Sequence, residues 1–100
     1  MNSIEVSAAA QRDMQGIFDY TYENWGREQV ELYLGAMEST FRLIAQRPRI
    51  GAPSYRLSPG LRRLPVEHHV IFYRQLAGRI RIERVLHERQ LPKVSQVLEK

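Results

Sequence analysis

The sequence predicts an α+β fold in the order βααβββ, with an antiparallel two-helix hairpin packed on one face of a small, mainly antiparallel sheet. Three observations carry that expectation. Apolar residues recur at helical spacing in two successive runs between residues 8 and 46, separated only by Gly26. Residues 47–60, RPRIGAPSYRLSPG, then hold three Pro and two Gly and interrupt regular structure. Beyond them, residues 67–89, EHHVIFYRQLAGRIRIERVLHER, read as a β-hairpin.

Taken in order, Ser3–Val6 is a short strand candidate and Ser7 a good N-cap, because its hydroxyl can accept from a first-turn amide. The first helix, over residues 8–24, places Ala10, Met14, Ile17, Phe18, Thr21 and Trp25 on one face, and Gly26 closes it. The second, over residues 27–46, has Val30, Tyr33, Leu34, Met37, Phe41, Ile44 and Ala45 as its core stripe, with Glu28, Glu31 and Glu38 off it. So short a break favours an αα-hairpin. Residues 61–67 read as a strand that Pro65, lacking an N–H, confines to an edge or bulge. The hairpin strands cover residues 70–74 and 80–87, with Gly78 supplying the turn's freedom. Parity assigns Val70, Phe72, Ile80, Ile82 and Leu86 to the core and leaves Val85 with Arg81, Glu83 and His87. Arg84 is the misfit on the apolar parity; a bulge that re-aims it, or a carboxylate that partners it, would resolve the conflict. From Leu91, a short stripe of Val94, Val97 and Leu98 suits one or two helical turns or a frayed tail.

One hundred residues suit a single domain over residues 1–100, enough to bury roughly two-thirds of the unfolded surface. No apolar run approaches the roughly 20 residues of a membrane span, and the N-terminus lacks the charge and apolar pattern of a signal peptide. The absence of cysteine removes disulfides and thiolate metal sites, so a cytoplasmic protein is expected. Residues 1–50 carry five Arg against seven acids, whereas residues 51–100 carry ten cations against four. Thirteen of the fifteen cations are Arg, which suits carboxylate or phosphate partners as well as a merely solvated face.

No phosphate-cradling loop, HExxH or nucleophile elbow is present, and adjacent His68 and His69 would point to opposite faces of a strand. Neither a metal nor a cofactor is implied. The constellation worth testing is basic: Arg62, Arg63, Arg74, Arg81, Arg84, His87 and Arg89 on one sheet surface, binding a target or partner. An RNA-cleaving version would use Glu67 or His87 as base with Arg62 and Arg89 on the phosphate, but it lacks a secure acid. Structural cross-strand pairing is the blander account of the same residues.

The chain also resembles the ParE toxins of bacterial toxin–antitoxin modules, within the RelE/ParE superfamily. The matching residues are Ala10, Asp13-Met14 and Ile17; Trp25-Gly26 before Gln29, Val30 and Tyr33; Pro48 with Ile50-Gly51; and Leu61-Arg62. Most specific are Glu67-His68-His69, Ile71-Phe72-Tyr73-Arg74 and Val85-Leu86-His87-Glu88-Arg89. The resemblance implies a non-catalytic toxin that inhibits DNA gyrase and arrests growth, as plasmid-stabilising modules do. It further implies a ParD-like antitoxin bound in a heteromeric complex, a heterotetramer being one arrangement, with operator DNA reached only through the antitoxin. Exposed helix faces, with Tyr20, Tyr22 and Leu32 as anchors, and the sheet's second face are the expected docking surfaces. One departure stands out: the family's Met-Asp after His-Glu-Arg is Gln90-Leu91 here, which makes a non-toxic, antitoxin-binding homologue an alternative. The RelE branch, ribosome-dependent mRNA endonucleases, is the other; its lysine-rich surface and terminal Tyr have no counterpart, since Lys occurs only at 93 and 100.

Overall fold

The computed structural model describes residues 2–93. It shows the expected α+β arrangement. β1 (Ser3–Val6) leads into α1 (Ala8–Trp25), and α2 (Arg27–Gln46) follows directly. Ser7 caps α1: its hydroxyl accepts from the Ala10 amide at 3.0 Å and donates to the Glu83 carbonyl at 2.8 Å, fixing helix to sheet. Gly26 joins the helices at φ +89°, a conformation that penalises any side chain. Ala10, Thr21, Tyr33, Met37, Ile44 and Ala45 are buried as the helical spacing predicts. Leu34 and Trp25, expected in the same stripes, are exposed, Trp25 as the last residue of α1.

The sheet adds β2 (Ala52–Pro53), β3 (Leu61–Val66), β4 (His69–Leu76) and β5 (Arg79–His87) in the order β1-β5-β4-β3-β2. β1 runs parallel to β5 and the other neighbours are antiparallel. β2, absent from the predicted order, pairs only with Arg62 and Arg63, so the β3 edge at Pro65 has no strand beside it. That is how the proline is accommodated.

The hairpin parity needs correction. Phe72 pairs with Arg84 but Tyr73 pairs with Ile82, leaving Glu83 as the extra residue of a β-bulge. The bulge inverts the alternation of β5. Ile80, Ile82 and, past the bulge, Val85 face the helices with Ile71, Tyr73 and Val66. Leu86, Phe72, Val70 and Leu61 form a second, smaller cluster on the opposite face, against Leu57. Val85 is therefore core, and Leu86 does not share a face with Ile80. Arg84 resolves in both anticipated ways, since it sits beside the bulge and pairs with Asp13.

Residues 47–60 are anchored by buried Tyr73. Its hydroxyl donates to the Pro48 carbonyl at 2.7 Å and accepts from the Gly51 amide at 2.8 Å. A Cβ on Gly51 would lie 2.6 Å from that hydroxyl and 2.8 Å from the Arg63 carbonyl, so no larger residue fits. After β5 the chain turns through a 3₁₀ helix, Glu88–Lys93. The predicted stripe of Val94, Val97 and Leu98 lies outside the described residues.

Candidate functional site

An open groove of about 920 Å³ lies between α1, the α1–α2 junction and the ends of β4 and β5. Arg12, Gly16 and Tyr20 come from successive turns of α1, and Trp25, Gln29 and Tyr33 continue the wall across the junction. The opposite wall is His68, His69, His87, Arg89 and Gln90. Pairing of His69 with His87 across β4 and β5 stacks the two imidazoles edge to face, 5.1 Å between centroids. Tyr33 meets His69 edge-on at 5.4 Å, with its hydroxyl against Nδ1. The hydroxyl also lies 3.3 Å from the Val66 carbonyl. It has one proton: donating to Val66 requires His69 to donate to it, and donating to His69 requires a bare Nδ1.

Burial, reinforced by His87 and His68, lowers the His69 pKa to about 4, so this ring is neutral near pH 7. Burial, with Glu67 nearby, raises Tyr33 to about 12. His87 Nδ1 accepts the Arg89 amide at 3.0 Å, which leaves the proton of a neutral ring on Nε2. The His87 amide in turn donates to Gln90 Oε1 at 2.7 Å. Gln90 thus ties the 3₁₀ helix back to the end of β5.

Asp13 braces the floor. Its carboxylate accepts from Arg84 Nε and Nη2 at 2.7 and 2.8 Å and from the Val85 amide at 3.0 Å. These bonds favour the charged guanidinium and raise the Arg84 pKa.

The seven predicted basic residues do not converge. Arg74 and Arg81 lie on the sheet face away from the helices, in a run of ion pairs in which Glu83 joins both and Glu5 joins Arg81 to Arg79. Arg84 is committed to Asp13. Arg62 reaches the Gly51 carbonyl at 2.7 Å and the Tyr55 hydroxyl at 3.2 Å, and Arg63 is exposed on the opposite side of β3. Only His87 and Arg89 line the groove. The nuclease set is divided as well. Arg62 pairs with Tyr73 and His87 with His69, four residues apart on β4 and so about 13 Å along the strand. Glu67 lies exposed in the β3–β4 turn at φ +53°. His68 belongs to that turn rather than a strand, so both adjacent histidines reach the groove. Among the described residues no group of three or more His, Cys, Asp or Glu is placed to hold a metal ion.

The groove's own centre, Tyr33, His69 and Asp13, was missed as a site. These residues are 20 or more positions apart, and only pairing of helix to sheet joins them. Trp25 was recoverable, since it directly precedes a helix-ending glycine.

Comparison with known proteins agrees with this architecture. Residues 4–92 match the family model described as the ParE toxin of the type II toxin–antitoxin system parDE. Toxin ParE1 of Mycobacterium tuberculosis is 40% identical over 85 residues, covering 84% of this chain and 87% of that protein. Toxin ParE1 of Caulobacter vibrioides is 36% identical over 88 residues, 88% and 91% of the two chains. Toxin ParE of Escherichia coli is 32% identical over 90 residues, 89% and 87% of the two. A chain of the chromosomal ParDE system of P. aeruginosa shares the fold with a TM-score of 0.74 at 22% identity, over 87% of this chain and 96% of that one. With the family model covering both helices and reaching from within β1 past the end of β5, the chain belongs to the ParE toxin family of type II toxin–antitoxin systems.

Proposed function

We propose that this protein arrests growth by inhibiting DNA gyrase, acting as a binding inhibitor rather than a catalyst, and that a ParD-like antitoxin neutralises it. Family membership over nearly the whole chain is the observation that carries this reading. The geometry supports the partner part of it. The helical hairpin leaves Trp25 72%, Tyr20 65%, Leu32 63% and Tyr22 62% exposed, aromatic and aliphatic anchors of the kind that partners bury. Covering Trp25 or Tyr20 is worth about 2–3 kcal/mol each. Two of these four line the groove, where Arg12, Arg89 and His68 offer positive or protonatable groups to an acidic segment.

The endonuclease alternative would need Arg62 on the phosphate beside His87 as the base, which their separation along β4 opposes. Induction of the protein in a bacterial host, alone and with the adjoining antitoxin gene, tests the proposal. Growth arrest with relaxed plasmid topoisomers, reversed by the antitoxin, is expected. Arrest with normal supercoiling and cleaved messages would favour the endonuclease, and unimpaired growth the non-toxic homologue.

A further inference from the structure

Residues 39–66 contain six arginines and no acid, whereas the rest of the chain carries nine cations against eleven acids. The whole net positive charge of the protein therefore belongs to this one segment. None of its arginines takes part in an ion pair among the described residues, in contrast to Arg74, Arg79, Arg81 and Arg84. The fold gathers five of them, all but Arg42 of α2, around the β2 end of the sheet. Arg47 follows the last turn of α2, and its carbonyl accepts from Ile50 in a tight turn. Arg62 donates to the carbonyls of Arg49 and Gly51 and lies 5.9 Å from the Tyr55 ring centre. Arg56 follows Tyr55, and Arg63 pairs with Ala52 of β2. Arg47, Arg49, Arg56 and Arg63 are all exposed.

We propose that this arginine end binds the phosphate backbone of duplex DNA without reading its sequence. Guanidinium groups match phosphate oxygens in a planar, bidentate way, and four exposed ones around a short edge strand can follow a run of phosphates. Single-stranded nucleic acid fits less well, since it is held by several stacking aromatics and, among the described residues, Tyr55 is the exposed aromatic at this end. An acidic peptide is the competing occupant, because a shallow depression of about 470 Å³ lined by Arg63, Leu64 and Val70 lies alongside. That depression is small, and among the described residues that line it Ile50 is the one large aliphatic side chain that is exposed. The proposal is independent of the gyrase reading. It gives the chain a DNA contact of its own, where the family resemblance routes DNA only through the antitoxin.

The test is fluorescence anisotropy of the intact protein with a labelled 20-base-pair duplex over a salt series. Each phosphate contact contributes about −0.9 to the slope of log affinity against log salt. Arg49→Ser with Arg56→Ser should therefore flatten the slope by about 1.8 and weaken binding at 0.1 M salt by roughly 60-fold. Neither side chain makes a hydrogen bond among the described residues, so folding is spared; circular dichroism confirms it. Arg12→Ser with Arg27→Ser removes the same charge elsewhere and should change the slope little. Equal losses in the two double variants would overturn the proposal. So would an unchanged slope in the first, or tighter binding of single-stranded RNA or a poly-glutamate peptide than of the duplex.

Discussion

Replacing Asp13 with alanine should destabilise the protein by about 2.5 kcal/mol through the groove floor. The carboxylate receives three donors, two from Arg84 and one from the Val85 amide, and the side chains of Asp13 and Arg84 are only 13% and 21% exposed. Removing it orphans a partly buried amide, at about 1.5 kcal/mol. It also strands Arg84. That loss lies between about 0.5 kcal/mol for a surface pair and 3–5 for a fully buried one, so about 1.5 is reasonable here. Alanine's better helix propensity returns about 0.5 kcal/mol. Urea denaturation should show a lower midpoint at unchanged m, and thermal melting a fall of about 10 °C or more. Asp13→Asn keeps an acceptor and should cost about half as much. A loss below about 1 kcal/mol for alanine, or equal losses for both variants, would refute the assignment of Asp13 as the brace of the bulge.

Other outcomes follow from single contacts. Gly51→Ala should cost at least about 2 kcal/mol in urea denaturation, because the new methyl meets the Tyr73 hydroxyl and the Arg63 carbonyl at under 3 Å. Trp25→Ala should leave stability within about 0.5 kcal/mol yet weaken antitoxin binding at least tenfold by calorimetry, since the ring is largely exposed in the free protein. His69 should make the fold acid-sensitive. Its unfolded imidazole takes a proton near pH 6.5 and the folded one only near 4, so the unfolded state binds more protons between those values. Stability then falls as pH falls through that window, by at most about 3 kcal/mol, and His69→Gln should flatten the urea-midpoint profile there.

Much of the fold was legible because local rules agreed with tertiary ones. The Ser7 cap, the Gly26 break and Arg27–Gln46 follow from capping chemistry and period, and the structure repeats them; Ser3–Val6, too short to show a period of its own, is a strand through its pairing with β5. Periodicity failed where one residue changed the phase. A bulge at Glu83 leaves no local signature beyond the misfit of Arg84, yet it moved Val85 into the core and Leu86 to the other face. Two-residue β2 is too short to show any pattern. The arginines illustrate a different limit. Composition reported their excess, but whether each is spent on a carboxylate depends on cross-strand register, as Arg74 and Arg81 against Glu83 show. The groove depends on the same long-range pairing, which brings Tyr33, His69 and His87 together.

We propose that this ParE-family chain inhibits gyrase and is silenced by its antitoxin. A supercoiling and cleavage assay with purified gyrase, relaxed plasmid and this protein tests it most directly. Loss of supercoiling as the protein is added, and its recovery when the cognate antitoxin is present in equal amount, is the predicted result. Undiminished supercoiling at a large molar excess of folded protein would contradict it.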